Sequence, residues 1–184
     1  DGGEQGSMGI AVGDYENSGR PSIYVTNFSE GYGALYRNEG AHFTDVSFRS
    51  RTAAPGLPFV KWGDSFFDYD NDGRLDLVVS HYTHWSPQTD IVCTFEGQGE
   101  IYCSPTRYES VSHTLYRNLG GGRFEDVSER SGFADARNGK GMGIATADFD
   151  DDGRMDVFVA NDTEPNFLYL NRGDGTFAQE ASAW

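Results

Sequence analysis

The chain is poor in the residues on which many enzymes and all helical membrane proteins depend. None of its 184 residues belongs to an apolar run close to the ~20 residues that a spanning helix needs, so a transmembrane helix is excluded. Only 14 basic residues stand against 29 acidic ones, giving a formal net charge of -15. Such a surface repels phosphate backbones and argues against nucleic-acid binding. Histidines number four, and none has an evident acid–base partner in sequence. There is no Gly-x-Ser-x-Gly elbow, no phosphate-binding glycine loop and no Cys-x-x-Cys-His haem site. Gly139-Lys140-Gly141-Met142-Gly143 is glycine-rich, but it sits at a repeat junction where glycine suits a tight entry into a strand. No enzymatic activity is expected. No leader is visible, and Asp1-Gly2-Gly3-Glu4 does not read as a natural chain start, so the numbering is expected to begin inside a longer or processed product.

What the chain has is aromatics and glycine: 13 Phe, 10 Tyr and 24 Gly. Strand-forming aromatics mixed with turn-forming glycines predict many short strands joined by tight turns. Three segments superpose as repeats, approximately 6–50, 59–130 and 139–184. The first opens with Gly9-Ile10-Ala11-Val12-Gly13-Asp14, the second with Gly63-Asp64-Ser65-Phe66-Phe67-Asp68, the third with Gly143-Ile144-Ala145-Thr146-Ala147-Asp148. Each continues into an apolar run such as Leu77-Val78-Val79, then Leu35-Tyr36-Arg37-Asn38 or its counterpart, then Phe-x-Asp-Val-Ser in the first two copies. Asn38-Glu39-Gly40 and Asn171-Arg172-Gly173 are turn signals between the third and fourth strands. No convincing amphipathic helix is present. Sets of four antiparallel strands repeated in this way predict an all-β fold of propeller blades.

Between the first two strands of each copy lies an acidic loop. The second reads Asp68-x-Asp70-x-Asp72-Gly73-Arg74-Leu75-Asp76, and the third Asp148-x-Asp150-x-Asp152-Gly153-Arg154-Met155-Asp156. Alternate acids in a tight loop turn several oxygens toward one centre, and the glycine permits the bend. Hard oxygen ligands in that number suit Ca²⁺. Two Ca²⁺ sites are expected, with carboxylates from the first, third, fifth and ninth positions and the backbone carbonyls of Arg74 and Arg154. The position equivalent to an EF-hand's bidentate Glu holds Val79 or Val159, inside apolar strands, so a strand–loop–strand site is predicted. Plain acidic turns are the alternative. The first loop, Asp14-x-Glu16-x-Ser18-Gly19-Arg20-Pro21-Ser22, has lost two acids and is expected to bind calcium weakly or not at all.

The opening glycine five positions before the Asp-x-Asp-x-Asp-Gly-x2-Asp core, the Leu-Tyr-Arg-Asn strand and Gly-x-Phe-x-Asp-Val together resemble the FG-GAP/VCBS repeats of integrin α-subunit propellers and of bacterial secreted proteins of the cartilage-acidic-protein type. The resemblance covers nearly the whole chain except roughly 82–112. It implies a calcium-stabilised propeller, usually of seven blades, that acts outside the cytoplasm in adhesion or complex assembly. Three repeats make a partial propeller over residues 1–184, since closed propellers need about four to eight blades and an open arc exposes two edges. The expected function is a secreted, periplasmic or surface-attached binding or scaffold module with a protein or cell-surface partner. Alternatives are a piece of a carbohydrate-active propeller such as a polysaccharide lyase, or an accessory subunit docked on a membrane complex.

The second repeat carries an insertion of about thirty residues, approximately 82–112, where its neighbours have a short connection. It holds both cysteines, Cys93 and Cys103, with Trp85, Phe95, Tyr102 and Tyr108. A Cys93–Cys103 disulfide is predicted, which fits an oxidising compartment. The aromatics either pack the insertion onto the propeller or meet a partner. A zinc site drawn from His81, His84, His113, Cys93 and Cys103 matches no standard spacing. Asn27-Phe28-Ser29 and Asn161-Asp162-Thr163 match the glycosylation pattern, but both asparagines share one repeat position, which favours a structural role.

Overall fold

The computed structural model describes residues 5–97, 99–135 and 138–180. The first sheet contains β1 (Ser7–Gly13), β2 (Ser22–Asn27), β3 (Ala34–Asn38) and β4 (Phe43–Asp45) in simple meander order. The second begins with β5 (Phe59–Phe67) and β6 (Asp76–His84). The insertion then forms a hairpin of β7 (Cys93–Phe95) and β8 (Gly99–Ile101), and the sheet resumes with β9 (Thr114–Asn118) and β10 (Phe124–Asp126). The third comprises β11 (Gly141–Ala147), β12 (Asp156–Asn161), β13 (Phe167–Asn171) and β14 (Phe177–Gln179). All pairings are antiparallel, and the fold is all-β with three blade-like sheets.

β6 runs three residues into the insertion. Tyr82, Thr83 and His84 stay in the strand, and Phe59 pairs with His84. Two single-turn helices interrupt the strands, α1 (Ser47–Ser50) and α2 (Ser128–Ser131). The Asp-Val-Ser sequence builds them. Asp45 and Asp126 each accept the amide of the serine two residues on, at 3.0 Å. Those serine hydroxyls accept in turn from Leu35 N and Leu115 N, which pins the turn beneath the blade.

The core lies between the blades rather than within one. Strand alternation gives every sheet two faces. Tyr24 and Leu35 of the first sheet pack with Leu77, Val79 and Tyr116 of the second. Val78 and Leu115, on the opposite face of the second sheet, pack with Val157, Val159 and Tyr169 of the third. Phe133 joins this seam, stacked on Tyr169 with centroids 4.1 Å apart. Burying some ten large side chains per seam, at roughly 1.5–3 kcal/mol each, makes the seams the main source of stability.

The first strands of the blades run side by side, and the repeated glycine lets them approach. A Cβ on Gly9 would lie 1.9 Å from the Trp62 carbonyl oxygen, and one on Gly63 would lie 2.7 Å from that of Met142. The third copy's Gly143 has only the Ala160 Cβ near it, at 3.8 Å. Both outer faces are correspondingly open. Ile10 and Val12 of β1 are 64% and 60% exposed, while Phe149 at the other end is 46% exposed.

Candidate metal centres in the acidic loops

All three loops share one backbone design. The leading aspartate folds the loop over itself by accepting two amides. Asp68 takes those of Asp72 (3.1 Å) and Gly73 (2.9 Å), Asp148 those of Asp152 (3.0 Å) and Gly153 (2.8 Å). Asp14 does the same with Ser18 (2.9 Å) and Gly19 (2.6 Å). The fourth and sixth loop positions are left-handed throughout, with φ of 57° at Asn71 and 83° at Gly73, and 62° at Asp151 and 86° at Gly153. Asn, Asp and Gly are the residues that tolerate this conformation. The first loop keeps that shape, with Asn17 at 54° and Gly19 at 77°. Its departure is therefore in ligands, not in conformation.

The ninth position anchors the loop to the sheet. Asp76 accepts the amides of Tyr69 (3.1 Å) and Asn118 (2.7 Å), and Asp156 those of Phe149 and Asn171, both at 2.8 Å. Both aspartates are fully buried. Ser22 stands in this position in the first copy and accepts only Asn38 N, at 3.1 Å. Burial pushes the Asp76 carboxyl up to about 7, against the two amides that favour its anion and with Asp70 and Asp72 adding to the rise. Asp150 is raised as well, by desolvation and by its neighbours Asp152, Asp156 and Asp148.

The loops bring together part of the predicted set. Asp68, Asp70 and Asp76 each place a carboxylate oxygen within 4.8 Å of the others, and Asp148, Asp150 and Asp156 do likewise. Asp72 and Asp152 turn instead to the arginines two residues on, Arg74 and Arg154, whose guanidinium groups they pair with. Arg74 Nε also donates to the Asn118 carbonyl (3.1 Å), and Arg154 Nε to that of Asn171 (2.7 Å). These arginines thus staple the loop to the third strand of the blade.

The donor set fits a hard divalent cation. Every converging atom is a carboxylate oxygen, and Asp70 Oδ1 is shielded from solvent without a hydrogen-bond partner. Three carboxylates so close repel one another, and a cation offsets that repulsion. The two centres differ in one respect that sequence reading missed. Arg117 lies 2.6 Å from Asp70 and 3.5 Å from Asp72, whereas the corresponding residue of the third repeat is Leu170. The repeat alignment could have shown it, since Leu-Tyr-Arg-Asn becomes Leu-Tyr-Leu-Asn.

The same motif's asparagine has a second use. Asn118 Nδ2 donates to the carbonyl of Tyr15, in the loop of the preceding blade, at 2.7 Å, and Asn171 Nδ2 donates to that of Tyr69 at 2.7 Å. The second and third blades therefore each grip the acidic loop of the one before.

The insertion is closed by a Cys93–Cys103 disulfide, with Cα atoms 5.2 Å apart. The five residues considered for zinc are not gathered. Both cysteines are in the disulfide, His84 is exposed, and His81 and His113 hold backbone groups. His113 Nδ1 accepts the His81 amide at 3.1 Å, and His81 Nδ1 lies 2.9 Å from the Ser112 carbonyl. Asn161 and Asn166 make the equivalent pair in the third blade: the Asn161 amide reaches Asn166 Oδ1 at 2.9 Å, and its side chain reaches the Pro165 carbonyl at 2.7 Å. Buried Asn27 likewise donates to the Tyr32 carbonyl, at 2.7 Å. The histidines are thus the second blade's version of a loop latch.

Comparison with known proteins agrees with this architecture. A family profile described as FG-GAP-like repeat matches residues 88–159 and 148–184, together just over half of the chain. Cartilage acidic protein 1 of Homo sapiens is 22% identical over 186 residues, covering 96% of this chain and 26% of that protein. The protein of that name from Xenopus tropicalis is 26% identical over 188 residues, covering 96% and 26%, and the one from Mus musculus is 26% identical over 161 residues, covering 88% and 22%. The chain thus spans about a quarter of the length of these curated relatives. With its repeated glycine, acidic loop and Leu-Tyr-x-Asn strand in three successive blades, this chain belongs to the FG-GAP-like repeat family.

Proposed function

We propose that the chain is a calcium-stabilised binding module that works outside the cytoplasm as part of a larger propeller. The observation that carries this reading is the pair of carboxylate triads, Asp68-Asp70-Asp76 and Asp148-Asp150-Asp156, the first of them in a loop that the following blade grips through Asn171. A Ca²⁺ ion there would be held by carboxylates only from strand ends and their connecting loop, so it would brace a blade. The disulfide supports an oxidising compartment. The relatives' name refers to a cartilage protein and to acidity, and this chain's 29 acids against 14 bases are of the same character. The open faces at Ile10 and Val12 and around Gly143 and Phe149 support further blades on both sides.

Calorimetric titration of EGTA-stripped protein with Ca²⁺ tests the metal part. Two ions per chain with a rising melting temperature are expected, and absence of binding refutes it. The binding role is tested with labelled protein on cells and matrix of the source organism. Saturable, protease-sensitive attachment supports it. Product release from uronate polymers, with no such attachment, would instead mean a lyase.

A further inference from the structure

The two carboxylate triads are matched position for position, yet one of them already has a cation beside it. Arg117, on the third strand of the second blade, brings Nη2 to 2.6 Å from Asp70 and 3.5 Å from Asp72. The third blade has Leu170 at that place. A second difference has the same sign: the fourth loop position is Asn71 in the second repeat and Asp151 in the third. Four acids against Arg74 and Arg117 leave the second centre with a formal charge of -2, and five acids against Arg154 leave the third with -4.

Arg117 is held differently from the two loop arginines. Arg74 and Arg154 each anchor Nε on a backbone carbonyl, which ties them to the sheet whatever the loop contains. Arg117 Nε has no partner, and Nη2 is the atom that meets the loop carboxylates. The first blade shows that this side chain has another orientation open to it. Arg37 occupies the same repeat position and pairs with Glu39. A displaced Arg117 also has a carboxylate close by, since Glu125 stands directly opposite it in the β9–β10 ladder, at the spacing of cross-strand neighbours.

We propose, on the calcium reading above, that Arg117 is a tethered competitor for the ion at the second loop. The third loop then fills first, and the second responds only at higher Ca²⁺. A guanidinium on one oxygen of Asp70 weakens the negative potential that an ion meets at the other. The ion either binds against that repulsion or pushes the arginine off a half-buried partner. Both routes cost affinity that the third centre, with its leucine, does not lose. In the empty loop the same guanidinium offsets the repulsion among Asp68, Asp70 and Asp76. Arg117 thus stabilises the metal-free state and opposes the loaded one.

The amides of Gly73 and Gly153 report each loop separately, because they donate to Asp68 and Asp148 at 2.9 and 2.8 Å. Their signals in nitrogen–proton correlation spectra are followed as Ca²⁺ is added to the EGTA-stripped chain. The Gly153 signal should reach its midpoint at about tenfold lower free Ca²⁺ than the Gly73 signal. Arg117→Leu, which copies the third repeat, should lower the Gly73 midpoint about tenfold and leave that of Gly153 unmoved. In EGTA the same variant should melt about 2–4 °C below the native chain. An arginine with a structural role alone would instead lower the melting temperature and weaken the metal site together. Leu170→Arg is the reciprocal change and should raise the Gly153 midpoint only; it decides the matter if Arg117→Leu does not fold. Coincident or reversed midpoints in the native chain, or a Gly73 midpoint that Arg117→Leu leaves in place, overturn the proposal while calcium binding stands. If neither signal moves up to about 20 mM Ca²⁺, far above the ~10⁻³ M of weak extracellular modules, the calcium reading falls and this role of Arg117 with it.

Discussion

Asp64 offers a test of how the first two blades are joined. It lies on β5, facing the first blade, and a Cβ on Gly9 would come 3.0 Å from its Oδ1. The Ala11 amide is its one backbone donor, and its Oδ2 is shielded without a partner. Burial raises its pKa from 3.8 to about 7, the Ala11 bond opposing the rise. The folded state therefore holds this proton more tightly than the unfolded chain, and stability falls as pH rises from about 4 to about 7. Three units correspond to about 4 kcal/mol of penalty at pH 8, and almost none at pH 4. Asp64→Asn removes the charge but leaves an amide group short of acceptors, a cost of about 1–3 kcal/mol. The variant should consequently gain about 2 kcal/mol at pH 8 and lose a similar amount at pH 4. Urea unfolding of both proteins at the two pH values, in saturating Ca²⁺ to hold the loop carboxylates constant, isolates the difference. For a chain of this size the gain is about 4–8 °C in melting temperature. A stability difference that does not change with pH would show that Asp64 does not titrate across this range.

Other expected outcomes concern the loops, the seams and the insertion. Asp156→Ser, which copies the first repeat's Ser22, should abolish one of the calorimetric Ca²⁺ sites and cost about 2–4 kcal/mol through loss of the amide bonds from Phe149 and Asn171. Gly63→Ala should destabilise by about 1–3 kcal/mol because its methyl would strike the third blade's backbone, whereas Gly143→Ala, with open space, should be neutral or gain about 0.5 kcal/mol; denaturant midpoints decide. Cys93→Ser with Cys103→Ser opens a loop of sequence separation 10 and should cost up to about 2.5 kcal/mol. In that double variant, native-state hydrogen exchange should quicken around β7 and β8 while the blade strands stay protected.

The blades were legible because their signals are local. Period-two apolar runs, Asn-x-Gly turns and the Asp-x-Asp-x-Asp-Gly loop each specify a few neighbouring residues, and repetition multiplied them. The pairing Cys93–Cys103 was legible for the same reason, there being one possible partner. Long-range contacts were not. Nothing local marks Asn118 as reaching Tyr15 across 103 positions, or Arg117 as lying beside Asp70. The loop ligands were read as one group of four carboxylates, yet the fifth-position acids Asp72 and Asp152 pair with Arg74 and Arg154. Spacing places side chains near a centre but does not show which of them an arginine also holds, as Arg117 holds Asp70 within the triad and Arg74 holds Asp72 outside it. The helical turns α1 and α2 escaped notice because four residues are too few to show a helical period.

The grip of each blade on the preceding loop gives the arc a direction. Asn118 holds the first loop and Asn171 the second, while among the described residues no asparagine reaches the equivalent carbonyl of the third loop, that of Phe149. A displacement of one loop is therefore passed first to the blade that follows it, as in a one-dimensional chain of nearest-neighbour couplings. An ion bound in the second loop, on the proposed reading, would stiffen the third blade through the single contact from Asn171 to Tyr69, and its removal would loosen that seam first.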